Sequence, residues 1–279
     1  MRVIFFGTPD YVLPILENLH KYHEIVAVVT QSPKPMGREK VLTYSAVDSW
    51  AFKKHITRNF DYVDLPVADM GVCASFGMII PQVVLDHFKY GIINIHPSLL
   101  PMFRGSSPIQ ATLISGINPT GVSIIKMSAK MDAGPILTQF KEDAMPDDTN
   151  EALRARLFEK SAEVLLEMIP AYVEGKIHLK PQDESKATIT KMITKDDGYV
   201  DLYKDDQELI WRKFRAYSPW PGIWTNIKIL SNKDIKILRL KILKCRFENG
   251  KLIIDEVQPE SKNPTNWNVF RRTYGLKEV

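Results

Sequence analysis

Short runs of β-branched residues alternate with amphipathic stretches over the first third of the chain, and this alternation restricts the fold more than any other feature. Residues 2–6 (RVIFF) predict a buried strand, residues 12–19 carry apolar side chains at helical spacing, and residues 24–30 (EIVAVVT) predict the next strand. The same order recurs between residues 67 and 96. Because strand, helix and strand in succession form a parallel pair with a crossover, the pattern predicts a Rossmann-like α/β domain with a mostly parallel sheet.

The character of the sequence changes in its last third. Thr149 is a suitable N-cap for a long amphipathic helix that ends near Pro170 or Gly175. Residues 181–207 are polar and lack periodicity, which favours a linker, and strand-like runs broken by turn residues follow from Ser218. The predicted division is a catalytic-type domain over residues 1–184, a linker over residues 185–204 and a small, mostly β domain over residues 205–279.

Composition excludes several classes of protein. The chain has 279 residues, of which 44% are hydrophobic, so it can bury a core without disulfides or metal. Its two cysteines, Cys73 and Cys245, lack the spacing of a zinc site or a disulfide framework. No stretch approaches the roughly 20 apolar residues of a membrane helix, and the N-terminal apolar run is too short for a signal peptide. We therefore expect a cytoplasmic monomer with no bound metal and no membrane partner.

Charge is distributed unevenly along the chain. Lys and Arg minus Asp and Glu gives −4 for residues 1–207 and +8 for residues 208–279. A basic C-terminal part indicates a polyanionic partner, because Lys and Arg that neutralise phosphates release counterions. The alternative is a basic face that is only solvated.

The richest polar stretch is GIINIHPSLLPMFRG at residues 91–105, where a predicted strand runs into a double-proline loop. Open α/β sheets place their sites at the carboxyl ends of strands. Asn94 and His96, two residues apart, share one face of the strand. A neutral imidazole can accept a proton near pH 7, and an amide can donate to a developing oxyanion. Both residues are also common in structural roles at strand ends and turns.

A second polar loop, SAKMDAGP at residues 128–135, places one carboxylate between two strand-like runs. A carboxylate of Asp132 close to His96 would favour the protonated imidazole and fix its orientation. A turn-forming aspartate is the alternative. The phosphate loop GxxxxGK[ST], the dinucleotide motif GxGxxG, HExxH and GxSxG do not occur, so a Rossmann-like topology does not imply NAD here.

The combined motifs resemble those of the formyltransferase superfamily. They are the NIHPSLLP segment followed by Arg104-Gly105, and Asp132 within MDAGPIL. The sequence is most similar to the superfamily members that formylate methionine attached to initiator tRNA, through the segments FFGTPDYVLPIL, TQSPKPMGREKVL, FGMIIP, RAYSPWPGIW and VQPESKNP. These segments extend from residue 5 to residue 264, so the resemblance covers nearly the whole chain.

The resemblance implies a reaction and its catalytic residues. Asn94, His96 and Asp132 match the family's Asn, His and Asp, which move a formyl group from 10-formyltetrahydrofolate to an amine. Asn94 and protonated His96 would stabilise the oxyanion, while Asp132 would position His96 and help to manage the amine's proton. The donor carries an activated formyl group, so the implied reaction requires no metal.

The resemblance also implies two binding surfaces and a fold for the second domain. The folate-contacting positions match Ser98, Leu99, Leu100, Pro101, Phe76, Gly77 and Ile79. The candidate tRNA phosphate contacts are Lys34, Arg38 and Lys40 in the loop over residues 31–42, and Lys236, Arg239 and Lys241 in the C-terminal domain. The C-terminal domain is expected to be an OB-like β-barrel, shortened here because a strand pair of the family is missing between LKILKCRF and ENGKLIIDEV.

Two other functions compete with transfer to tRNA. A nucleotide-sugar N-formyltransferase would share the Asn-His-Asp centre but act on an amino sugar. The basic loop PKPMGREKVL and the charge of +8 on the last 72 residues favour tRNA instead. A tRNA-binding module without catalysis would keep the basic C-terminal part, but it need not retain the three catalytic positions.

Overall fold

The computed structural model describes residues 1–37, 39–231 and 234–276, and it divides into two compact units. The predicted tRNA contact Arg38 lies outside the described residues. The first unit comprises Met1–Pro108, Pro119–Asp143 and Arg154–Thr190, and the second comprises Ile109–Asn118, Ala144–Leu153 and Lys191–Val279.

The described residues form strands and helices in the following order along the chain. The strands are β1 (Arg2–Gly7), β2 (Glu24–Val29), β3 (Lys34–Met36), β4 (Val41–Thr43), β5 (Thr57–Asn59), β6 (Met70–Ala74), β7 (Ile92–His96), β8 (Arg104–Gly105), β9 (Thr120–Lys126), β10 (Ile136–Glu142), β11 (Ile189–Thr190), β12 (Ile223–Ser231), β13 (Asp234–Glu248), β14 (Lys251–Pro259) and β15 (Thr265–Asn266). The helices are α1 (Leu13–Tyr22), α2 (Ala46–Lys53), α3 (Gln82–Leu85), α4 (Pro108–Ser115), α5 (Asn150–Val173), α6 (Gln207–Tyr217) and α7 (Trp267–Tyr274).

A seven-stranded sheet forms the centre of the first unit, in the spatial order β10-β9-β7-β6-β1-β2-β5. Strands β5, β2, β1, β6 and β7 pair in parallel, and β9 and β10 pair antiparallel at one end. The prediction of a Rossmann-like, mostly parallel sheet is thereby confirmed. Residues 3–6 of β1 and all of β7 are buried, as expected for strands that are covered on both faces.

Several elements agree closely with the expected ones, and others were missed. Helix α5 begins after Thr149, whose hydroxyl accepts from the backbone N–H of Ala152 at 3.2 Å, and it continues through Pro170 to Val173. The hairpin of β3 and β4 and helices α2 and α4 were not predicted. The hairpin is too short and too exposed to produce an alternating pattern.

A four-stranded antiparallel sheet, in the order β12-β13-β14-β15, forms the centre of the second unit. Ile227, Leu240 and Val257 are buried, which supplies the sheet with an apolar face. Helices α6 and α7 belong to the same unit and contact β14. The prediction of a small C-terminal β domain is confirmed, and its finer description as a shortened OB-like barrel stays a prediction.

The polar segment over residues 185–204 was predicted as a linker, but two parts of it are hydrogen-bonded to ordered structure. Ile189 and Thr190 form β11, which pairs in parallel with β8. Further along, the backbone N–H of Val200 donates to the carbonyl of Trp224 at 2.9 Å. Main-chain pairing of this kind leaves no hydrophobic period, so the sequence could not reveal it. In the part of the chain that the structure describes, no helix has the length and apolar character needed to cross a membrane.

Candidate active site

Strand β7 presents two buried polar side chains near its carboxyl end. Asn94 is 9% exposed and His96 is 4% exposed. The two residues occupy alternate positions on the strand, and β6 and β9 flank it. Side chains two positions apart project from the same face, so both functional groups lie on one side of the sheet, as the sequence predicted.

The loop between β9 and β10 brings a carboxylate to these two side chains. The Oδ2 atom of Asp132 lies 3.5 Å from Nδ1 of His96, and its Oδ1 atom accepts from Nδ2 of Asn94 at 3.4 Å. The backbone N–H of Gly105 donates to Asp132 Oδ2 at 2.8 Å. Asp132 has a left-handed φ of 50°, which is uncommon for a non-glycine residue. The structure thus brings together Asn94, His96 and Asp132.

The second imidazole nitrogen of His96 reports which tautomer is present. Nε2 lies 2.9 Å from the carbonyl oxygen of Phe103. A carbonyl oxygen only accepts, so Nε2 carries a hydrogen and the lone pair of the neutral ring is on Nδ1, facing Asp132. Burial lowers the pKa of His96, and the Asp132 carboxylate and the Phe103 carbonyl oppose that shift. Burial is the larger of these effects, so on balance the pKa of His96 is lowered.

Cys73 lies on β6 opposite Asn94 and is fully buried within the sheet. Burial raises the pKa of the Cys73 thiol to about 12, and the Asp132 charge adds to the effect. A thiol with such a pKa stays protonated near neutral pH and is a poor nucleophile. The reactive groups of the site are therefore the amide, the imidazole and the carboxylate.

The SLLP segment that follows β7 is fixed by hydrogen bonds. The hydroxyl of Ser98, which has no exposed surface, donates to the carbonyl of Met102 at 2.7 Å. The hydroxyl of Ser123 donates to the carbonyl of Ser98 at 2.7 Å and accepts from the backbone N–H of Leu100 at 2.9 Å. Leu100 packs with Ile125 and Ile136 in a small apolar cluster. Among the four predicted folate contacts in this segment, Leu99 and Pro101 are the half-buried ones.

The loop after β6 contains the other predicted folate contacts. The Phe76 side chain is buried in the core and contacts Phe6, with ring centroids 5.6 Å apart. Gly77 is exposed with a φ of 74°, and the Ile79 side chain is 90% exposed. The Phe76 carbonyl already accepts from the Thr8 hydroxyl at 3.0 Å and from the Gln31 amide at 3.2 Å, whereas the Ile79 side chain is open to a ligand.

A cavity of about 360 Å³ in the first unit borders the amino end of β7, whereas Asn94 and His96 lie toward its carboxyl end. It is bounded by α3 and by the chain that leaves β9 toward Asp132. Its lining residues are Gln82, Leu85, Asp86, Phe88, Gly91, Ile92, Lys126, Met127, Ser128 and Ala129. The volume is in the range of small-molecule pockets. None of the seven predicted folate positions lies among these ten residues.

The predicted tRNA contacts are divided between the two units. Lys34 and Lys40 are exposed at the β3–β4 hairpin, and Lys34 Nζ donates to the Gln31 side chain at 3.1 Å. In the second unit, Arg239 and Lys241 share one face of β13 because the pairing with β12 is regular there. Lys236 is exposed on the opposite face. Within the second unit, Lys236 therefore does not lie in one row with Arg239 and Lys241.

Arg239 is held against an aromatic side chain. Its guanidinium carbon lies 3.8 Å from the centroid of the Trp224 ring, and the Trp224 indole N–H donates to the carbonyl of Lys195 at 2.9 Å. Tyr199 contacts the same ring at a centroid distance of 5.0 Å. Trp224 is thus a packing residue, and it orients Arg239.

Sequence reasoning missed the residues that support the Asp132 loop. Gln182 donates to the carbonyls of Asp132 and Gly134, and Arg104, which is 3% exposed, donates to Gln182. Gln182 comes from a polar stretch without periodicity, so only the buried arginine in the motif could have suggested a partner. Across the described residues, no group of three or more His, Cys, Asp or Glu side chains is placed to hold a metal ion.

Comparison with known proteins gives matches over most of the chain. The family model for formyl transferase matches residues 1–169, and the model for the formyl transferase C-terminal domain matches residues 192–251. A methionyl-tRNA formyltransferase from Herpetosiphon aurantiacus is 37% identical over 309 aligned positions, which cover all of this chain and 99% of the relative.

Solved structures show the same fold. The methionyl-tRNA formyltransferase from Clostridium thermocellum has a TM-score of 0.60 at 18% identity, covering 93% of this chain and 98% of its own. An N-formyltransferase from Helicobacter canadensis, solved with folinic acid and dTDP-3-aminofucose, has a TM-score of 0.67 at 18% identity, covering 88% of each chain. The fold is therefore common to proteins with different acceptors.

Proposed function

The chain belongs to the formyl transferase family, and from that premise we propose that it transfers the formyl group of 10-formyltetrahydrofolate to the α-amino group of methionyl-initiator tRNA. The observation that carries the choice of acceptor is the similarity over the full length to enzymes named for that reaction, at 37% and 35% identity. The product would serve translation initiation.

The roles of the three central residues follow from the placement of their atoms. The donor supplies a formyl carbon that the amine attacks, and negative charge then develops on the formyl oxygen. The Asn94 amide has two N–H groups and donates one of them to Asp132, so the second is available to that oxygen. A single oxyanion donor of this kind contributes about 3 to 4 kcal/mol to the transition state.

The proton released by the attacking amine needs an acceptor. His96 Nδ1 carries the lone pair of the neutral ring, and Asp132 lies 3.5 Å from it. A proton on Nδ1 forms an imidazolium ion that Asp132 stabilises, and this charged ring is then positioned to assist the oxyanion. The proton finally reaches the folate nitrogen when the bond between that nitrogen and the formyl carbon breaks. His96 thus cycles between neutral and protonated forms.

We place the donor against the SLLP segment and the loop over residues 76–81. A flat pterin requires apolar walls and backbone hydrogen bonds. The exposed side chain of Ile79, the half-buried Leu99 and the main chain at Gly77 provide groups of these kinds.

The proposed surfaces for tRNA are the hairpin with Lys34 and Lys40 and the face of β13 with Arg239 and Lys241. All four carry positive charge, and Arg239 is oriented by Trp224. Lys236 would contact tRNA only if the acceptor also reached the opposite face of β13. The charge of +8 on residues 208–279 supports a polyanionic acceptor. We assign catalysis to residues 1–184 and tRNA binding to residues 205–279, with residues 185–204 between them.

A cytoplasmic location and a monomeric state complete the proposal. Both cysteines are free and buried, which suits a reducing compartment. Translation initiation takes place in the same compartment as the tRNA and the folate donor.

Competition between acceptors tests the proposed function. The purified chain is incubated with 10-formyltetrahydrofolate and either methionyl-initiator tRNA, uncharged tRNA or a dTDP-amino sugar, at several salt concentrations. We expect formylation of the charged tRNA alone, with kcat/KM that falls steeply as salt rises because phosphate contacts are screened. Faster formylation of the amino sugar, without salt dependence, would establish the alternative acceptor.

A further inference from the structure

The Gly105 N–H and the Asn94 amide donate to the carboxylate of Asp132, but the main chain of its loop needs separate support. Within this loop, the main chain at Gly134 passes so close to β9 that a Cβ atom there would lie 1.8 Å from the carbonyl oxygen of Lys126. Only glycine fits at that point. The main-chain carbonyls of Asp132 and Gly134 both accept from the same side chain, that of Gln182, at 2.8 and 2.7 Å.

All the polar atoms of the Gln182 side chain have partners, and these partners fix its orientation. The NH₂ group donates to the two loop carbonyls, and the Oε1 atom accepts from Arg104 Nε at 3.1 Å and from an Arg104 terminal nitrogen at 2.8 Å. Carbonyls only accept and a guanidinium only donates, so the amide cannot be reversed without losing these bonds. Gln182 thus ties the Asp132 loop to a buried arginine.

Arg104 is itself fixed. It is 3% exposed, and its terminal nitrogens donate to the Glu184 carboxylate at 2.7 and 3.1 Å. Arg104 and Lys130 lower the pKa of Glu184 to about 2, so the carboxylate is charged at neutral pH and balances the buried guanidinium.

Thr188, which follows Gln182 and Glu184 in the chain, contacts the residues that support His96. The hydroxyl of Thr188 accepts from the backbone N–H of Phe103 at 2.8 Å, and the carbonyl of Thr188 accepts from the backbone N–H of Arg104 at 2.9 Å. Phe103 supplies the carbonyl that binds His96, and Gly105, next to Arg104, supplies the N–H that binds Asp132. Residues 182–190 therefore contact the supports of both catalytic side chains, and we name them the supporting segment.

We propose that Gln182 is a positioning residue for the transfer reaction, acting through the main chain of the Asp132 loop to set the distance between Asp132 and His96. The proposal rests on the proposed function, because it assigns Gln182 to the same reaction. Gln182 lies at residues 170–191, the stretch between the two family matches, so the proposal gives a role in the reaction to a residue that neither match includes. Misplacement of a catalytic group by about 1 Å costs roughly 100-fold in rate.

Kinetics of four variants test this role. Gln182→Met keeps the length of the side chain but has no polar atoms, and Gln182→Glu keeps an acceptor for Arg104 but loses the NH₂ donor. Thr188→Val removes the acceptor for the Phe103 N–H. Ser185→Ala is the matched control, because Ser185 is exposed in the same segment and its hydroxyl bonds only to Asp183 among the described residues.

We expect kcat for formyl transfer to fall roughly 10- to 100-fold in both Gln182 variants, with KM for donor and tRNA changed less than about twofold. Thr188→Val should lose less, and Ser185→Ala should behave as the unmodified chain. In an Asp132→Asn background, Gln182→Met should cost little further rate, since Gln182 acts through Asp132. A structural role alone would give the same loss in both backgrounds.

Unchanged kcat in folded Gln182→Met and Gln182→Glu would overturn the proposal, as would equal losses in the two backgrounds. Circular dichroism and thermal unfolding identify variants that do not fold. If Gln182→Met is one of these, Gln182→Glu and Thr188→Val decide the matter by the same criteria. An unmodified chain that does not formylate methionyl-tRNA would contradict the proposed function itself, and this outcome is distinct from an active chain with insensitive variants.

Discussion

Among single residues, the proposed mechanism requires that Asn94, His96 and Asp132 act as a unit. All three side chains lie within hydrogen-bond or ion-pair distance of a neighbour in the set. Groups that act together lose most of their effect when one is removed, so single substitutions should be nearly as damaging as multiple ones.

Replacement of His96 or Asp132 should reduce turnover without unfolding the chain. We expect His96→Ala and Asp132→Asn each to lower kcat roughly 100- to 10,000-fold, because each removes proton transfer from the site. His178→Ala is a suitable control, since its side chain is exposed and lies outside the site. A kcat within threefold of the unmodified enzyme for either site variant would remove that residue from the mechanism.

The protonation state of His96 gives a second prediction. Burial lowers the pKa of His96 and the Asp132 carboxylate raises it, with burial the larger effect. An NMR titration of the His96 ring should therefore give a pKa below 6.5. The pKa should fall further in Asp132→Asn, because the carboxylate that favours the imidazolium is lost. A pKa above 6.5 in the unmodified chain would mean that His96 is protonated at rest and is not the initial proton acceptor.

The sequence predicted that Asn94, His96 and Asp132 come together, but it did not predict their supports. Asn94 and His96 share a strand face by simple alternation, and Asp132 was recognisable from its motif. Gln182 and Thr188 are separated from Asp132 and Phe103 by 50 and 85 positions, and their hydrogen bonds go to main-chain atoms. The main-chain group in such a bond can belong to any residue. The sequence around Asp132 and Phe103 therefore does not indicate that Gln182 and Thr188 are their partners.

At the scale of elements, strand β13 illustrates what alternation decides. Lys241 and Arg239 project from one face and Lys236 from the other. Further along the strand, Lys244 forms an ion pair with Glu256 at 2.7 Å and Arg246 with Asp255, so their charges are partly balanced. The available positive charge of this strand is thus concentrated near residues 236–241.

The two faces of β13 should differ in their effect on tRNA binding. We expect Lys241→Ala to weaken binding of initiator tRNA and to reduce the slope of log Kd against log salt by about one, the value for one lost phosphate contact. Lys236→Ala is the matched comparison from the opposite face and should have the smaller effect. Binding measured by filter retention at four salt concentrations decides between them. Equal slopes for both variants would show that tRNA contacts both faces.

The sequence was a good guide to elements with a clear period and a poor guide to the others. Strands β1, β2 and β7 and helices α1 and α5 have apolar patterns that match their buried faces. The β3–β4 hairpin and β11 are two or three residues long and exposed in part, so no period could develop. The residues 185–204 have the polar composition of a linker, although Ile189 and Thr190 pair with β8 and the side chains of Val200 and Leu202 are buried.

For the whole molecule, the fold class could be predicted from the sequence, and the uneven charge is a direct property of the sequence. The mostly parallel sheet and the small antiparallel β domain follow from periodicities that each unit must satisfy to bury a core. The choice of acceptor is a different matter, because the same fold occurs in a methionyl-tRNA enzyme and in an enzyme solved with an amino-sugar nucleotide. Fold does not imply substrate, so the acceptor must be established by experiment.

We propose that this chain uses His96 to formylate methionyl-initiator tRNA. The most direct measurement is the amount of formyl-methionyl-tRNA formed from 10-formyltetrahydrofolate by the unmodified chain and by His96→Ala, against an uncharged-tRNA blank. We expect formyl-methionyl-tRNA with the unmodified chain and at least about 100-fold less of it with the variant. Equal product from both proteins would contradict the catalytic assignment, and no product from a folded, unmodified chain would contradict the proposed function.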